Sequence, residues 1–215
     1  MNHLVITGGS GGLGRAVIDA FTCPEWNIAA PSHSELDATD SVAIRGFFES
    51  RSVDLLVCAA GLTRDALLSR TDESTWDEVL AVNFQGAADS ANAVLPRMIE
   101  RGTGHIVFIS SQSAIHPPTG QAAYATAKAS LLGLTRSLAR RHGAHGIRVN
   151  VILPGFLETG MTQTVSEKRK AEILGSHHLG RFNTPAAVAG FIRFLHHGLP
   201  HTSGQVFQLD SRCQE

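Results

Sequence analysis

Short runs of apolar and β-branched residues recur along the chain, at Leu4–Thr7, Ile28–Ala30, Leu55–Cys58, His105–Ser110, Arg148–Leu153 and Gln205–Leu209. Runs this short, with little polar alternation, predict strands buried on both faces. Between them, apolar residues return every three or four positions in Gly14–Phe21, Ser41–Ser50, Glu73–Ile99, Ala123–His142 and Pro185–His196, which predicts helices. Strand and helix in alternation imply a parallel sheet with right-handed crossovers and helices on both faces, a doubly wound α/β fold. One interval breaks the rhythm. Only Pro31 to Leu36 separates the second strand from Asp37, and a crossover between adjacent parallel strands needs about ten residues or more. The second crossover is therefore expected to be shortened, with its helix, and the strand after it, cut away.

The length of 215 residues suits one such domain over residues 1–215, burying roughly 70% of its unfolded surface. A formal net charge of -1, with charges interspersed, offers no field to attract nucleic acid or an anionic membrane. Met1 is followed almost at once by Leu4-Val5-Ile6 and the glycine-rich turn, so a secretion-type leader is not expected, and no apolar run reaches membrane-spanning length. Cys23, Cys58 and Cys213 form neither a metal-ligand pair nor a disulfide framework, so a reducing cytoplasm is the expected location.

Thr7-Gly8-Gly9-Ser10-Gly11-Gly12-Leu13-Gly14 closes the first strand and opens the first helix. Glycines in that context allow a tight turn and close backbone approach, and the helix N-terminus presents N–H groups to a pyrophosphate. A glycine-rich turn that binds nothing is the plain alternative; the strand before and helix after favour a dinucleotide.

Tyr124 and Lys128 stand four residues apart, on one face of a predicted helix. Ser111 follows the fourth strand, at the C-terminal edge of the sheet where ligands of such folds bind. Asn83 interrupts a long helical stretch and could simply satisfy local backbone.

The glycine spacing, the stretch from Ile106 to Leu132 with Ser111 thirteen positions before Tyr124, and Val82-Asn83-Phe84 together resemble the short-chain dehydrogenase/reductase family. Within that family the likeness is greatest to reductases of 3-oxoacyl groups on acyl carrier protein, through Gly61-Leu62-Thr63-Arg64-Asp65, Pro154 to Thr162 and Leu179-Gly180-Arg181-Phe182. The resemblance implies a Rossmann fold and a catalytic set of Asn83, Ser111, Tyr124 and Lys128. It also implies a cofactor site of Gly8, Ser10, Gly11, Gly12, Leu13, Gly14, Ser32, Asp37, Ala38, Ala59, Gly61, Tyr124, Lys128, Leu157 and Thr159. In these roles Tyr124 gives a proton and Ser111 binds the carbonyl oxygen. Lys128 lowers the phenol pKa and holds the nicotinamide ribose, and Asn83 holds a water toward solvent. Ser110 competes by position, and the family spacing selects Ser111.

Cys58-Ala59-Ala60-Gly61 stands where the family has Asn-Asn-Ala-Gly, so side-chain amide support for the central strand is expected to be lost. At the end of the second strand, Pro31-Ser32-His33-Ser34 lacks the acid that would bind the free ribose hydroxyls of NAD, which favours NADP(H). The expected substrate is a small ketone or an acyl thioester, with acyl carrier protein as a candidate partner. The helices from Phe84 to Ile99 and Ala123 to His142 resemble a family interface that builds homodimers or homotetramers. Thr162 to Ser176 reads as a mobile helical lid or a static exposed helix. Two other readings remain at this point: NAD-dependent oxidation of a small alcohol or diol, and a catalytically retired nucleotide sensor.

Overall fold

A computed structural model describes residues 1–212; Cys213 lies outside the described residues. Six strands form one parallel sheet, β1 (Asn2–Thr7), β2 (Trp26–Ala29), β3 (Leu55–Cys58), β4 (Gly104–Ile109), β5 (Ile147–Leu153) and β6 (Val206–Gln208), in the order β2-β1-β3-β4-β5-β6. Seven α-helices accompany them: α1 (Gly12–Phe21), α2 (Ser41–Glu49), α3 (Glu73–Leu80), α4 (Gly86–Arg101), α5 (Ala122–His142), α6 (Glu167–Gly175) and α7 (Pro185–Gly198). β3 and β4 are buried along their whole length, as continuous apolar runs require.

Two cores sandwich the sheet. On one face Ile44 and Phe48 of α2, Ala91, Val94 and Met98 of α4, and Leu131 of α5 pack against Val5, Leu56, Ile106 and Val149. On the other, Val17 and Phe21 of α1 and Val188, Ile192 and Leu195 of α7 cover Leu4, Ile6, Val57, Val107 and Ile152. The doubly wound expectation holds.

The shortened crossover is also present. Between β2 and α2 there are only turns, and Asp40 caps α2 by accepting from the N–H groups of Val42 and Ala43 at 2.9 Å each. Compared with the doubly wound order 3-2-1-4-5-6, the sheet has no strand outside β2, which is its edge, and keeps four strands beyond β1. Chain direction across the sheet still reverses between β1 and β3, the switch point at which such sheets bind ligands above their C-terminal ends.

Two elements depart from the sequence pattern. The long helix expected from Glu73 is divided by a π-helical turn, Ala81–Gln85, between α3 and α4. Thr162 to Ser176 contains a helix only over Glu167–Gly175, opened by the Ser166 hydroxyl accepting from the N–H of Arg169. No helix among the described residues is long and apolar enough to cross a membrane.

Candidate active site

The glycine turn is held so tightly that side chains would not fit. Gly8 has φ +73°, and a Cβ there would lie 2.8 Å from Ala60 Cα. A Cβ on Gly14 would lie 2.4 Å from the Gly8 carbonyl oxygen, and one on Gly12 2.7 Å from Thr159 Cγ2. The turn is thus pressed between the end of β3 and the loop after β5. Gly11 caps α1 without any side-chain hydrogen bond, so the opening N–H groups of the helix are left for an anion. The cradle has the space and the free backbone N–H groups, around Ser10, Gly12 and Leu13, that a pyrophosphate would need.

The end of β3 is supported without the family's asparagines. Ala59 N–H donates to the Thr7 carbonyl at 3.2 Å and Ala60 N–H to the Thr7 hydroxyl at 3.4 Å. Thr7 thus supplies backbone and hydroxyl acceptors in place of the side-chain amide support that is absent, as expected, from Cys58-Ala59. Cys58 is buried beneath, its thiol pushed up to about 12 by burial.

Around Gly61 the expected polar groups converge. A Cβ on Gly61 would stand 2.8 Å from Asn83 Oδ1 and 3.5 Å from Lys128 Nζ, so only glycine lets the two approach. Asn83 owes its inward position to the π turn, a device recurrent at functional sites. Its Nδ2 donates to the carbonyls of Leu62 at 2.8 Å and Val79 at 2.9 Å, and its Oδ1 accepts from the Leu62 N–H at 3.3 Å. Both amide hydrogens are spent on backbone, which leaves one lone pair of Oδ1 for a water.

Tyr124 and Lys128 share the inner face of α5. Lys128 is buried, and its ammonium donates to the Ile109 carbonyl at 3.0 Å. Burial pulls its pKa down to about 8. Ser111 stands beside the Tyr124 hydroxyl, and Lys128 Nζ lies 5.7 Å from the centre of the phenol ring.

The expectation that Lys128 lowers the phenol pKa needs correction for the chain by itself. Tyr124 is pushed up to about 12, chiefly by burial, with the Ser111 hydrogen bond acting downward and the charge of Asp65 upward. The ammonium is turned to Ile109 instead, and its own proton is loosened by the same burial.

Ser110 is turned away from the sheet edge: its hydroxyl donates to the Lys128 carbonyl at 2.8 Å and is buried. Ser111 opens onto the short turn Gln112–Ala114.

At the adenosine end the structure revises the reading of Ser32. Its N–H and its hydroxyl both donate to Glu35 Oε2 at 2.8 Å, and these two donors hold the Glu35 carboxyl below the usual carboxylate range. An acid therefore does stand beside Ser32, contrary to the sequence argument, because the turn folds Glu35 back. Gly9 packs against Ala30 at the end of β2, which keeps this turn beside the glycine loop. Asp37 accepts from the Thr39 N–H and hydroxyl at 2.8 Å each, so one of its oxygens is engaged locally, and Ala38 packs on Gly86. Leu157 is buried, bridged to Asn183, and Thr159 lies over Gly12 with its N–H on the Thr162 hydroxyl.

The sequence profile of the short chain dehydrogenase family matches residues 33–170. The chain belongs to that family. It is 33% identical over 214 residues to the 3-oxoacyl-[acyl-carrier-protein] reductase of Salmonella typhimurium, covering 89% of this chain and 88% of the relative. With the reductase of the same name from Thermotoga maritima it shares 42% identity over 159 residues, 74% of this chain and 65% of that protein. The alignment thus spans just under two thirds of the Thermotoga relative. Among solved structures, one from Beutenbergia cavernae aligns with a TM-score of 0.92 and 27% identity over 98% of this chain and 95% of that one. It is described as an NAD(P)-dependent gluconate 5-dehydrogenase and holds NADP at low occupancy. The short-chain dehydrogenase assignment makes this protein an NAD(P)-dependent oxidoreductase.

Other groups near the site escaped the sequence reading of roles. Ser113, Gln121 and Asp65 are hydrogen-bonded in series from Ser111; Asp65 and Gln121 stood inside recognised motifs, but nothing in their spacing said that they would meet. Met161 reaches Gly61 with its Cε 3.8 Å from a Cβ built there. Glu35 lies 21 residues beyond Gly14, the offset at which a ribose-binding acid is expected.

Proposed function

We propose that this chain reduces a ketone to a secondary alcohol with NADPH, and that the ketone is a 3-oxoacyl thioester carried on an acyl carrier protein. One observation carries the reaction: Ser111 and Tyr124 meet at the sheet's C-terminal edge, with the Lys128 ammonium buried behind the phenol ring. The nicotinamide, when bound, supplies a hydride. A ketone oxygen seated between the two hydroxyls accepts a hydrogen bond from Ser111 and the proton of Tyr124 as negative charge develops on it. Lys128 keeps a positive charge beside the resulting phenolate, and Asn83 Oδ1 offers the next acceptor toward solvent. Gly8, Ser10, Gly11, Gly12, Leu13 and Gly14 hold the pyrophosphate. Asp37, Ala38, Ala59 and Gly61 flank the adenosine, and Leu157 and Thr159 cover the nicotinamide.

The thioester reading rests on the names of the relatives and on α5, whose Arg136, Arg140 and Arg141 offer cations to an acidic carrier. The NADPH reading rests on the neighbour that holds NADP; Glu35 opposes it by placing a carboxylate on Ser32. The working assembly is a homodimer or homotetramer through α4 and α5, in the cytoplasm, where free Cys23 and Cys58 stay reduced.

The gluconate 5-dehydrogenase neighbour gives the second reading, oxidation of a small polyol. Rates of NADPH and NADH oxidation with acetoacetyl thioesters and a panel of ketones and quinones, and of NAD(P) reduction with polyols, separate the two. The proposal requires acetoacetyl thioester to exceed every polyol in kcat/KM; the opposite order refutes it. Tyr124→Phe should keep nucleotide binding and lose turnover, and equal activity in that variant refutes the mechanism and reopens the nucleotide-sensor reading.

A further inference from the structure

Just past β6, the side chain of Asp210 is only 1% exposed although it is a carboxylate. Arg212, two residues on, donates to its Oδ2 from Nε at 2.6 Å and also from Nη2, and the Arg212 N–H donates to Oδ1 at 3.3 Å. Gln208 Nε2 stands 3.4 Å from the same Oδ1 and donates to Gln112 Oε1 at 3.0 Å, beside Ser111 in the chain.

Two segments rest on this pair. The first is the loop after β5. Gly155 has φ +82°, and a Cβ there would lie 2.7 Å from Asp210 Cβ and 3.2 Å from its Oδ2, so the bare turn lies directly against the carboxylate. Asn183 Nδ2 donates to the Pro154 carbonyl at 2.9 Å and to the Leu209 carbonyl at 2.6 Å, which ties the same loop to the end of β6. The second segment is the foot of α6. His177 is bridged antiparallel to Arg212, the His178 N–H donates to the Ser211 carbonyl at 3.0 Å, and the Leu179 N–H to the Ser211 hydroxyl at 3.2 Å. Phe182 spans the two, its ring centre 4.6 Å from that of Phe156 in the loop and 5.5 Å from that of His177.

His177 shows what holds α6 in place. Its side chain is as buried as that of Asp210, and Nδ1 donates to the Ile173 carbonyl at 2.8 Å, in the last turn of the helix. Nε2 faces Asp210 Oδ2 at 4.0 Å, beyond hydrogen-bond reach, and has no hydrogen-bond partner among the described residues. The ring therefore does not fasten itself to Asp210. The foot of α6 owes its position to backbone pairing with Ser211 and Arg212, and that strip is bent into shape by the Asp210–Arg212 pair.

We infer that Asp210 and Arg212 are positioning residues: as a buried pair they clasp the loop after β5 to the foot of α6, so that both move as one body over the nicotinamide. The inference deepens the cofactor site proposed above and rests on the assignment there of Leu157 and Thr159 to the nicotinamide. A buried ion pair adds little stability, because desolvation offsets the attraction between its charges. Its bonds are directional, however, and here they aim the carboxylate at Gly155 and hold the Arg212 backbone against His177. Loss of either partner should release the nicotinamide half of the site and leave the phosphate cradle at Gly8–Gly14 untouched.

The test compares the whole cofactor with a fragment that lacks nicotinamide. NADP and 2′-phospho-ADP-ribose are titrated against the intact enzyme, Arg212→Met, Asp210→Ala and the double variant, with NAD and ADP-ribose in parallel so that cofactor preference does not enter. Each single variant should raise the Kd of the whole cofactor by about tenfold, the worth of one hydrogen bond at the nicotinamide. The fragment should stay within about twofold of the parent, as a distant site requires. The double variant should lose no more than Asp210→Ala alone, because the pair acts as a unit. Hydrogen exchange without nucleotide should quicken about tenfold in the amides of Glu167–Gly175 in the same variants.

Equal weakening of cofactor and fragment overturns the inference, since it would mean general loosening, and so do unchanged affinities or losses that add in the double variant. Unaltered exchange in α6 overturns the clasp between the two segments. Should the truncations fail to fold, Arg212→Lys, which keeps the charge and loses the fork, must still separate cofactor from fragment by about threefold, and the absence of that separation overturns the inference as well. Thr159→Ala, titrated alongside, keeps the two levels apart. No separation in that variant refutes the assignment of the loop to nicotinamide, whereas separation there with none in Arg212→Met refutes the clasp alone.

Discussion

Replacing Lys128 by methionine should remove catalysis and, at neutral pH, a burden on the fold. The ammonium is buried with one carbonyl for company, that of Ile109 at 3.0 Å. Its pKa is drawn from the ordinary 10.5 to about 8. At about 1.4 kcal/mol per unit, that displacement means that the charged lysine destabilises the folded chain by about 3 kcal/mol near pH 7. Methionine has nearly the same reach and no charge, but it leaves the Ile109 carbonyl without this donor, a cost of about 1–3 kcal/mol. The net change at pH 7 is therefore small, and the informative quantity is how it varies with pH.

Between pH 8 and 10.5 the unfolded chain still carries the lysine proton while the folded chain has released it, so stability rises with pH across that window. The methionine variant lacks this rise. Urea unfolding of both proteins at intervals from about pH 7 to 10 should show the parent gaining about 3 kcal/mol on the variant. Other groups titrate in both proteins and largely cancel in the comparison. A difference that stays constant over the whole range would mean that the ammonium is not strained by burial, and the reasoning would fail. Activity adds a second reading: turnover and nucleotide affinity should both fall in the variant, and a change confined to stability would return Lys128 to a structural role.

Glu35→Gln should raise the affinity for NADPH relative to NADH by tenfold or more, as fluorescence titration of both nucleotides would show, because Ser32 would then face an incoming 2′-phosphate without a carboxylate on its donors; an unchanged ratio removes Glu35 from cofactor choice. Gly14→Ala places a Cβ 2.4 Å from the Gly8 carbonyl oxygen, which should cost about 1–3 kcal/mol in thermal unfolding and most of the nucleotide affinity. Gly46→Ala in exposed α2 meets nothing within 4 Å and should instead stabilise by about 0.5–1 kcal/mol. At the opposite edge of the sheet, Asn150 Nδ2 donates to His105 Nε2 at 3.2 Å, so His105 carries its proton on Nδ1 and gives it to His196 Nδ1 at 3.3 Å. Burial, aided by the charges of His197 and Arg148, draws His196 from 6.5 down to about 4. The unfolded chain therefore takes up a proton first, and up to about 3 kcal/mol of stability should be lost as pH falls from about 6.5 through 4. His196→Phe should flatten that acid limb in unfolding experiments, and an unaltered limb would show that His196 is not its source.

The parts of this molecule that were legible in the sequence are those fixed by short-range rules. Buried strands show as apolar runs, and all six stand within two residues of where those runs place them, because a sheet covered on both faces favours apolar residues and admits polar ones such as His105 and Asn150 only where they are hydrogen-bonded. The shortened crossover could be read by counting, since about ten residues is a floor set by chain geometry. The gathering of Asn83, Lys128 and Gly61 followed from a resemblance, and the contact geometry supplies its cause: a side chain on Gly61 would strike Asn83. What escaped depends on how a loop turns. Glu35 lies beyond the strand-end positions where a ribose-binding acid is expected, and only the turn after β2 brings it back onto Ser32. The π turn at Asn83 leaves no mark in an apolar periodicity that is the same before and after it. The contacts that gather on Asp210 come from segments far apart in the chain, Gly155, His177 and Arg212 among them. Pattern does not tell that such residues meet, because their meeting follows only once the turns after β5, α6 and β6 are folded, and in this enzyme they meet on a buried aspartate outside the family's catalytic set.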